Sequence, residues 1–126
     1  MTEPKYITLP TREKMQEAAD AYALAVGRLS IAWNYLHGAL GDLFALVIGG
    51  DAELVIAKWR SVKNDGVQRG KLRAAIEAES PERWRQTPTA LADLLWVLER
   101  AGKLSDVRND AVHAPSCSIL AARSWK

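Results

Sequence analysis

The stretch RLSIAWNYLHGALGDLFALVIGG, residues 28–50, decides the fold of this 126-residue chain. Its apolar residues recur at spacings of three and four, and the same spacing continues back to Met15. This pattern is typical of a helix that buries one broad face. Thr11 is a suitable N-cap and Gly49–Gly50 a suitable end, so the sequence predicts a first helix of about 40 residues.

Three glycines, Gly27, Gly38 and Gly41, fall inside this helix. Each costs roughly 1 kcal/mol relative to alanine in a helix interior. We therefore expect them either to bend the helix or to permit the close approach of another backbone, as in a dimer or a tight bundle.

Capping residues mark the helices that follow. Asp51 can cap a second helix, and Asn64 or Asp65 a third. Ser80–Pro81 should break the chain, and Thr87–Pro88 should restart a helix with proline at its first position.

The last predicted helix carries apolar residues at helical spacing, and Gly102 is a candidate position for a kink. Pro115 should end it, because proline lacks the N–H that a helix interior needs. Strand signals are almost absent. The sequence thus predicts an all-α, up-down bundle of four or five helices with a long first helix. It forms a single domain over 1–126, with an extended lead-in at 1–10 and a short tail at 115–126.

The composition is that of a soluble globular protein, with 48% hydrophobic and 25% charged residues. A single cysteine, Cys117, excludes an internal disulfide and a multi-cysteine zinc site. The two histidines are not spaced as a metal-binding pair, so we expect neither a metal nor a cofactor.

The opening MTEPKYITLP lacks the apolar core of a signal peptide, and residues 40–50 are about half of the roughly 20 residues that a membrane span needs. We expect a cytoplasmic protein.

Basic residues concentrate in KWRSVKNDGVQRGKLR, residues 58–73. This segment has a charge of +5, although the whole chain carries only +2. Such a patch beside an aromatic residue favours binding to a nucleic-acid backbone, although a solvated helix face is the simpler interpretation. The candidate RNA-binding residues are Lys58, Trp59, Arg60, Lys63, Arg69, Lys71 and Arg73.

The stretch SDVRNDAVHAP, residues 105–115, places Arg108, Asn109 and His113 near the end of the last helix. Imidazole can act as a general base or acid near neutral pH, and a guanidinium can bind a phosphate through two hydrogen bonds. Arg108 and His113 point about 140° apart on an ideal helix. The long side chain of Arg108 could still curl toward His113, or a second molecule could bring its own pair to the same cleft. The structural alternative is that Asn109 and His113 only satisfy the helix C-terminus.

His37, the second histidine, lies among apolar residues of the first helix. A buried or interfacial side chain is the simpler interpretation, and a second catalytic base is the alternative.

The sequence R-N-x-x-x-H, formed by Arg108, Asn109 and His113 without a gap, resembles the hallmark of the HEPN superfamily. The long helix over residues 28–50 is also similar to the first helix of HEPN-like proteins. The resemblance implies a helical bundle that dimerises so that two Arg–His motifs line one cleft.

Many HEPN proteins are metal-independent endoribonucleases of toxin–antitoxin, phage-defence and RNA-processing systems. The resemblance implies that Arg108 and His113 are catalytic, that Asn109 is their polar helper, and that any antitoxin is a separate chain. A non-catalytic helical module that binds RNA, a nucleotide or a partner protein is the alternative function. A purely structural dimerisation domain is a third possibility.

Overall fold

The fold is described by a computed structural model, which covers the backbone of residues 8–123 and the side chains of residues 8–113. Within this part of the chain every regular element is helical. The four α-helices are α1, Arg12–Ile48; α2, Ala52–Ser61; α3, Asp65–Ala78; and α4, Ala90–Arg123. A short 3-10 helix, Pro81–Trp84, lies between α3 and α4. The prediction of an all-α protein with a long first helix is confirmed.

The predicted caps of the first three helices are confirmed. The hydroxyl of Thr11 accepts a hydrogen bond from the Lys14 amide, and the Asp51 carboxylate accepts from the first turn of α2. Asn64 caps α3 by accepting from the Val67 amide. Gly49 and Gly50 adopt φ values of 76° and 78°, which L-residues with a Cβ rarely adopt, and the chain leaves α1 there.

Helix α4 differs from its prediction at both ends. It begins at Ala90, because Thr87 and Pro88 form a turn in which the Ala90 amide donates to the Thr87 carbonyl. Its backbone continues to Arg123, so the prediction that Pro115 ends it is wrong. The proposed kink at Gly102 does not interrupt it.

Tyr22 accounts for part of this continuation through Pro115. Proline cannot donate to the carbonyl four residues earlier, which is that of Ala111. The Tyr22 hydroxyl of α1 donates to this carbonyl instead and lies 3.4 Å from the carbonyl oxygen of Val112. A side chain from the neighbouring helix thus replaces the hydrogen bond that the proline removes.

The core lies on the C-terminal half of α1, against which α2, α3 and α4 pack. Its buried side chains come from all four helices: Leu40, Val47, Trp59, Leu72, Ile76 and Leu98. By length and composition α1 could cross a membrane, with a mean hydropathy of 1.3 in its most apolar window. A third of that window is buried within the protein, so the apolar face of α1 serves at least in part as the core.

Gly41 shows why a glycine occurs inside α1. A Cβ built there would lie 2.7 Å from Cδ1 and 2.8 Å from Nε1 of the Trp59 indole, closer than atoms can pack. The close approach at Gly41 is therefore made by a tryptophan side chain of α2, and not by another backbone as the sequence predicted. Gly27 and Gly38 have open space where a Cβ would be, and α1 passes through all three glycines without interruption.

We predict that Gly41→Ala destabilises the protein relative to Gly38→Ala. Both changes gain the same helix propensity, but only the methyl group at residue 41 overlaps the Trp59 indole. Overpacking of this kind costs about 1–3 kcal/mol, which urea denaturation of the two variants would measure as a difference in the free energy of unfolding. Equal stabilities would contradict the proposed role of Gly41.

Candidate functional site

Arg108 is half-buried and lies on the face of α4 that is directed toward α1. Its guanidinium carbon is 5.4 Å from the centre of the Trp33 ring, a distance suited to a cation–π contact. Its Nη1 donates to the Asn109 side-chain oxygen at 3.1 Å, and its Nε is buried without a protein partner. Within residues 8–113 no carboxylate forms an ion pair with this guanidinium. The positive charge of Arg108 is therefore held in place without being neutralised.

Trp33 is itself fixed by a hydrogen bond to α3. Its indole N–H donates to the Asp65 carboxylate at 2.6 Å, and only 5% of its surface is exposed. Arg69, one turn after Asp65, places its guanidinium 5.8 Å from the centre of the same ring. One indole thus contacts two guanidinium groups, from α3 and from α4.

His37 lies one turn after Trp33, on the same face of α1, and the two rings are 4.7 Å apart. Arg69 Nη1 is 3.1 Å from His37 Nε2, and His37 Nδ1 is 3.2 Å from the Trp33 carbonyl oxygen. A guanidinium can only donate and a carbonyl can only accept. His37 is therefore a neutral imidazole that carries its proton on Nδ1.

The environment favours this neutral form. Burial lowers the pKa of His37 below its ordinary value of 6.5, and the charges of Arg69 and Arg108 lower this pKa further. The hydrogen bond to the Trp33 carbonyl and the negative charge of Asp65 act in the opposite direction. The interpretation of His37 as a buried histidine is confirmed, because 6% of its surface is exposed.

His113 is exposed on α4. Among the side chains of residues 8–113, no hydrogen bond joins His113 to Arg108 or to Asn109. Among these side chains the hydrogen bond thus joins Arg108 to Asn109 and does not include His113.

The basic segment divides into side chains with different environments. Lys58, Arg60, Lys63 and Lys71 are exposed. Arg73 lies 3.9 Å from Glu77, one helical turn away, whereas Arg69 is half-buried against His37. Arg69 is therefore engaged by the interior histidine and does not belong to the exposed basic residues of the segment.

Trp59 requires a correction, since it was expected as a surface for stacking a base. Only 4% of its surface is exposed, its indole N–H donates to the His37 carbonyl, and its ring packs against Phe44. Because Gly41 has no side chain, the Trp59 indole can pack against α1 in the core, where a base cannot reach it.

Sequence reasoning did not find the roles of Trp33 and Asp65. A signal was present, because Trp33 and His37 are four residues apart on α1, and Asp65 and Arg69 are four residues apart on α3. Each pair shares a helix face. Nothing in the spacing, however, indicated that these two faces meet.

The side chain of Cys117 lies outside the described residues. Among residues that the structure describes, no three His, Cys, Asp or Glu side chains are grouped as metal ligands.

Comparison with protein-family models, with curated proteins and with solved structures gives no match to this chain.

We predict that the stability of the protein falls as the pH is lowered from 7 towards 5, in part because of His37. Since its pKa in the folded state is lowered below 6.5, the unfolded chain takes up the proton first. The contribution of His37 is fully present above pH 6.5 and is lost as the pH falls through the pKa of the folded state. Urea denaturation at several pH values would measure it.

The matched variants for this test are His37→Gln and His113→Gln. We expect His37→Gln to flatten the dependence of unfolding free energy on pH between 5 and 7, and His113→Gln to preserve more of it. A slope that persists unchanged in His37→Gln would exclude His37 as its source.

Proposed function

We propose that this chain is a metal-independent endoribonuclease of HEPN type that works as a cytoplasmic homodimer. The observation that carries the proposal is the state of Arg108, a half-buried guanidinium with no carboxylate partner among residues 8–113, five residues before the exposed His113. A fixed positive charge without a counter-ion is suited to binding a phosphate. The R-N-x-x-x-H spacing supports the same assignment.

In the proposed reaction, His113 removes the proton of an RNA 2′-hydroxyl. The 2′-oxygen attacks the neighbouring phosphorus, and the bond from phosphorus to the 5′-oxygen breaks as that oxygen takes up a proton from water. The products are a 2′,3′-cyclic phosphate and a 5′-hydroxyl. Arg108 binds a phosphoryl oxygen and stabilises the charge that builds up in the transition state, and Asn109 orients Arg108 through its side-chain oxygen.

A second copy of the chain completes this site. Among residues 8–113 no hydrogen bond joins His113 to Arg108, so His113 of one copy is proposed to act beside Arg108 of the other. RNA reaches the cleft between the two copies, where the Arg–His motifs are proposed to lie, along the exposed basic residues Lys58, Arg60, Lys63 and Lys71. A role in a toxin–antitoxin or phage-defence system, with any antitoxin as a separate chain, belongs to the same proposal.

Cleavage of a mixed RNA substrate in excess EDTA tests the proposal. We expect the wild-type protein to yield fragments with 2′,3′-cyclic phosphate ends, and we expect His113→Ala and Arg108→Ala to lose this activity by about 100-fold or more. Arg100→Ala is the matched control, because it removes an exposed positive charge from the same helix two turns earlier. Cleavage retained in His113→Ala would contradict the role of His113. RNA binding without cleavage would instead favour the non-catalytic module.

The surface proposed for dimerisation is an apolar groove between α1 and α4. The groove has a volume of about 250 Å³, and Trp33 and Arg108 are among the residues that line it. Its apolar walls include Leu29, Leu36, Leu104, Val107 and Ala111. Val107 is 64% exposed in the single chain and Leu104 is 43% exposed.

We predict that Val107→Asp converts the dimer to a monomer, because a buried carboxylate without a partner would face the second copy. Light scattering coupled to size-exclusion chromatography would measure the mass. Val67→Asp is the control, since Val67 on α3 is 50% exposed and lies outside the groove. If both variants keep the wild-type mass, the groove is not the interface.

A further inference from the structure

The turn of α4 that carries His113 has a weak point in its backbone. In an α-helix each carbonyl accepts a hydrogen bond from the amide four residues later, and residue 115 is a proline, which has no N–H. The carbonyl of Ala111 therefore has no donor within its own helix. A proline at such a position usually kinks or breaks a helix. His113 lies midway between Ala111 and Pro115, on a turn that α4 cannot fully support by itself.

Tyr22 of α1 supplies the missing donor. Its hydroxyl donates to the Ala111 carbonyl and lies 3.4 Å from the carbonyl oxygen of Val112. Ala111 and Val112 are the two residues directly before His113. The backbone of α4 remains helical through this turn. One side chain of the neighbouring helix thus holds the stretch of backbone to which His113 belongs.

The position of the His113 imidazole depends on this backbone. The side chain is exposed, and among residues 8–113 no hydrogen bond joins it to Arg108 or to Asn109. The imidazole therefore follows any movement of the turn that carries it. A displacement of about 1 Å is enough to lower the rate of an enzymatic reaction about 100-fold.

We propose that Tyr22 is a positioning residue for His113. Its hydroxyl holds the turn from Ala111 to Pro115 against α1, in place of the hydrogen bond that the proline removes. Tyr22 acts through the backbone of α4 and takes no part in proton transfer. The consequence for catalysis rests on the proposed ribonuclease function, whereas the effect on the backbone does not.

Tyr22→Phe tests the effect on the backbone, because it removes the hydroxyl and keeps the ring. We expect the amides of Val112 and His113 to exchange with solvent about two- to tenfold faster, the size of effect that the loss of one neutral hydrogen bond produces. Hydrogen exchange followed by NMR of the ¹⁵N-labelled full chain measures both amides. Tyr35→Phe is the matched control, since it makes the same change at a tyrosine of α1 that is 77% exposed. It should leave both exchange rates at their wild-type values.

Pro115→Ala separates this role from a general loss of packing. Alanine supplies the amide N–H that the Ala111 carbonyl lacks, so the Tyr22 hydroxyl is no longer needed there. We expect Tyr22→Phe to speed amide exchange in the wild-type background and to have little effect in the Pro115→Ala background. A double-mutant cycle measures this coupling. Lost packing around the Tyr22 ring would instead produce the same change in both backgrounds.

Cleavage of RNA in excess EDTA by the same variants tests the consequence for catalysis. We expect Tyr22→Phe to lower kcat about three- to tenfold and to change KM by less than about twofold, because Arg108 and the exposed basic residues are unchanged. Pro115→Ala should cleave as the wild type does. Tyr22→Phe combined with Pro115→Ala should recover most of the lost kcat.

Three results would overturn the proposal. The first is unchanged amide exchange in Tyr22→Phe, and the second is an equal increase with and without Pro115. The third is an unchanged kcat in Tyr22→Phe when the wild type is active. If the wild type does not cleave RNA at all, the ribonuclease function fails, and the exchange rates alone decide whether Tyr22 holds the turn that carries His113.

Discussion

The indole of Trp59 is the contact on which the arrangement of the first three helices depends. It fits against α1 because Gly41 has no side chain, and its N–H donates to the His37 carbonyl at 3.0 Å. Its own carbonyl accepts from Gln68 of α3. A single residue of α2 thus sets the distance between α1 and α2 and the position of α3. A larger side chain at residue 41 would separate α1 from α2 and remove both hydrogen bonds.

The charges of the site follow from this packing. Once α3 is fixed, Asp65 holds the Trp33 indole and Arg69 donates to His37, which keeps the imidazole neutral. Arg108 of α4 makes a cation–π contact with the same Trp33 indole. Two guanidinium groups therefore gather around a neutral histidine and one carboxylate, a local excess of positive charge that is suited to an anion. The exposed His113 makes no hydrogen bond to this cluster among residues 8–113, and the proposed chemistry therefore uses a second copy.

The sequence predicted the helices well because their signals are local. Thr11, Asp51 and Asn64 cap helices through contacts within one turn, and Gly49–Gly50 ends α1 through its backbone geometry. The end of α4 could not be predicted in this way, since the partner of the Ala111 carbonyl is Tyr22 of another helix. The same limit applies to Trp59: its place in the core depends on Gly41 of another helix, whereas its sequence neighbours are basic and typical of a surface. Arg108 and His113 could be chosen as candidate site residues by type and spacing, but the network of Trp33, Asp65 and Arg69 required the positions of three helices.

The separation of these contacts along the chain has a consequence for the order of folding. The bonds from Trp59 to His37 and from Trp33 to Asp65 close loops of 22 and 32 residues, whereas the bond from Tyr22 to the Ala111 carbonyl spans 89. Closing a longer loop costs more chain entropy, and contacts between distant residues slow folding. We expect α1, α2 and α3 to form the folding nucleus and α4 to dock onto it afterwards. When α4 docks, the Trp33 indole that Arg108 contacts would already be oriented by its hydrogen bond to Asp65. The surface to which the last helix binds would therefore form before that helix joins it.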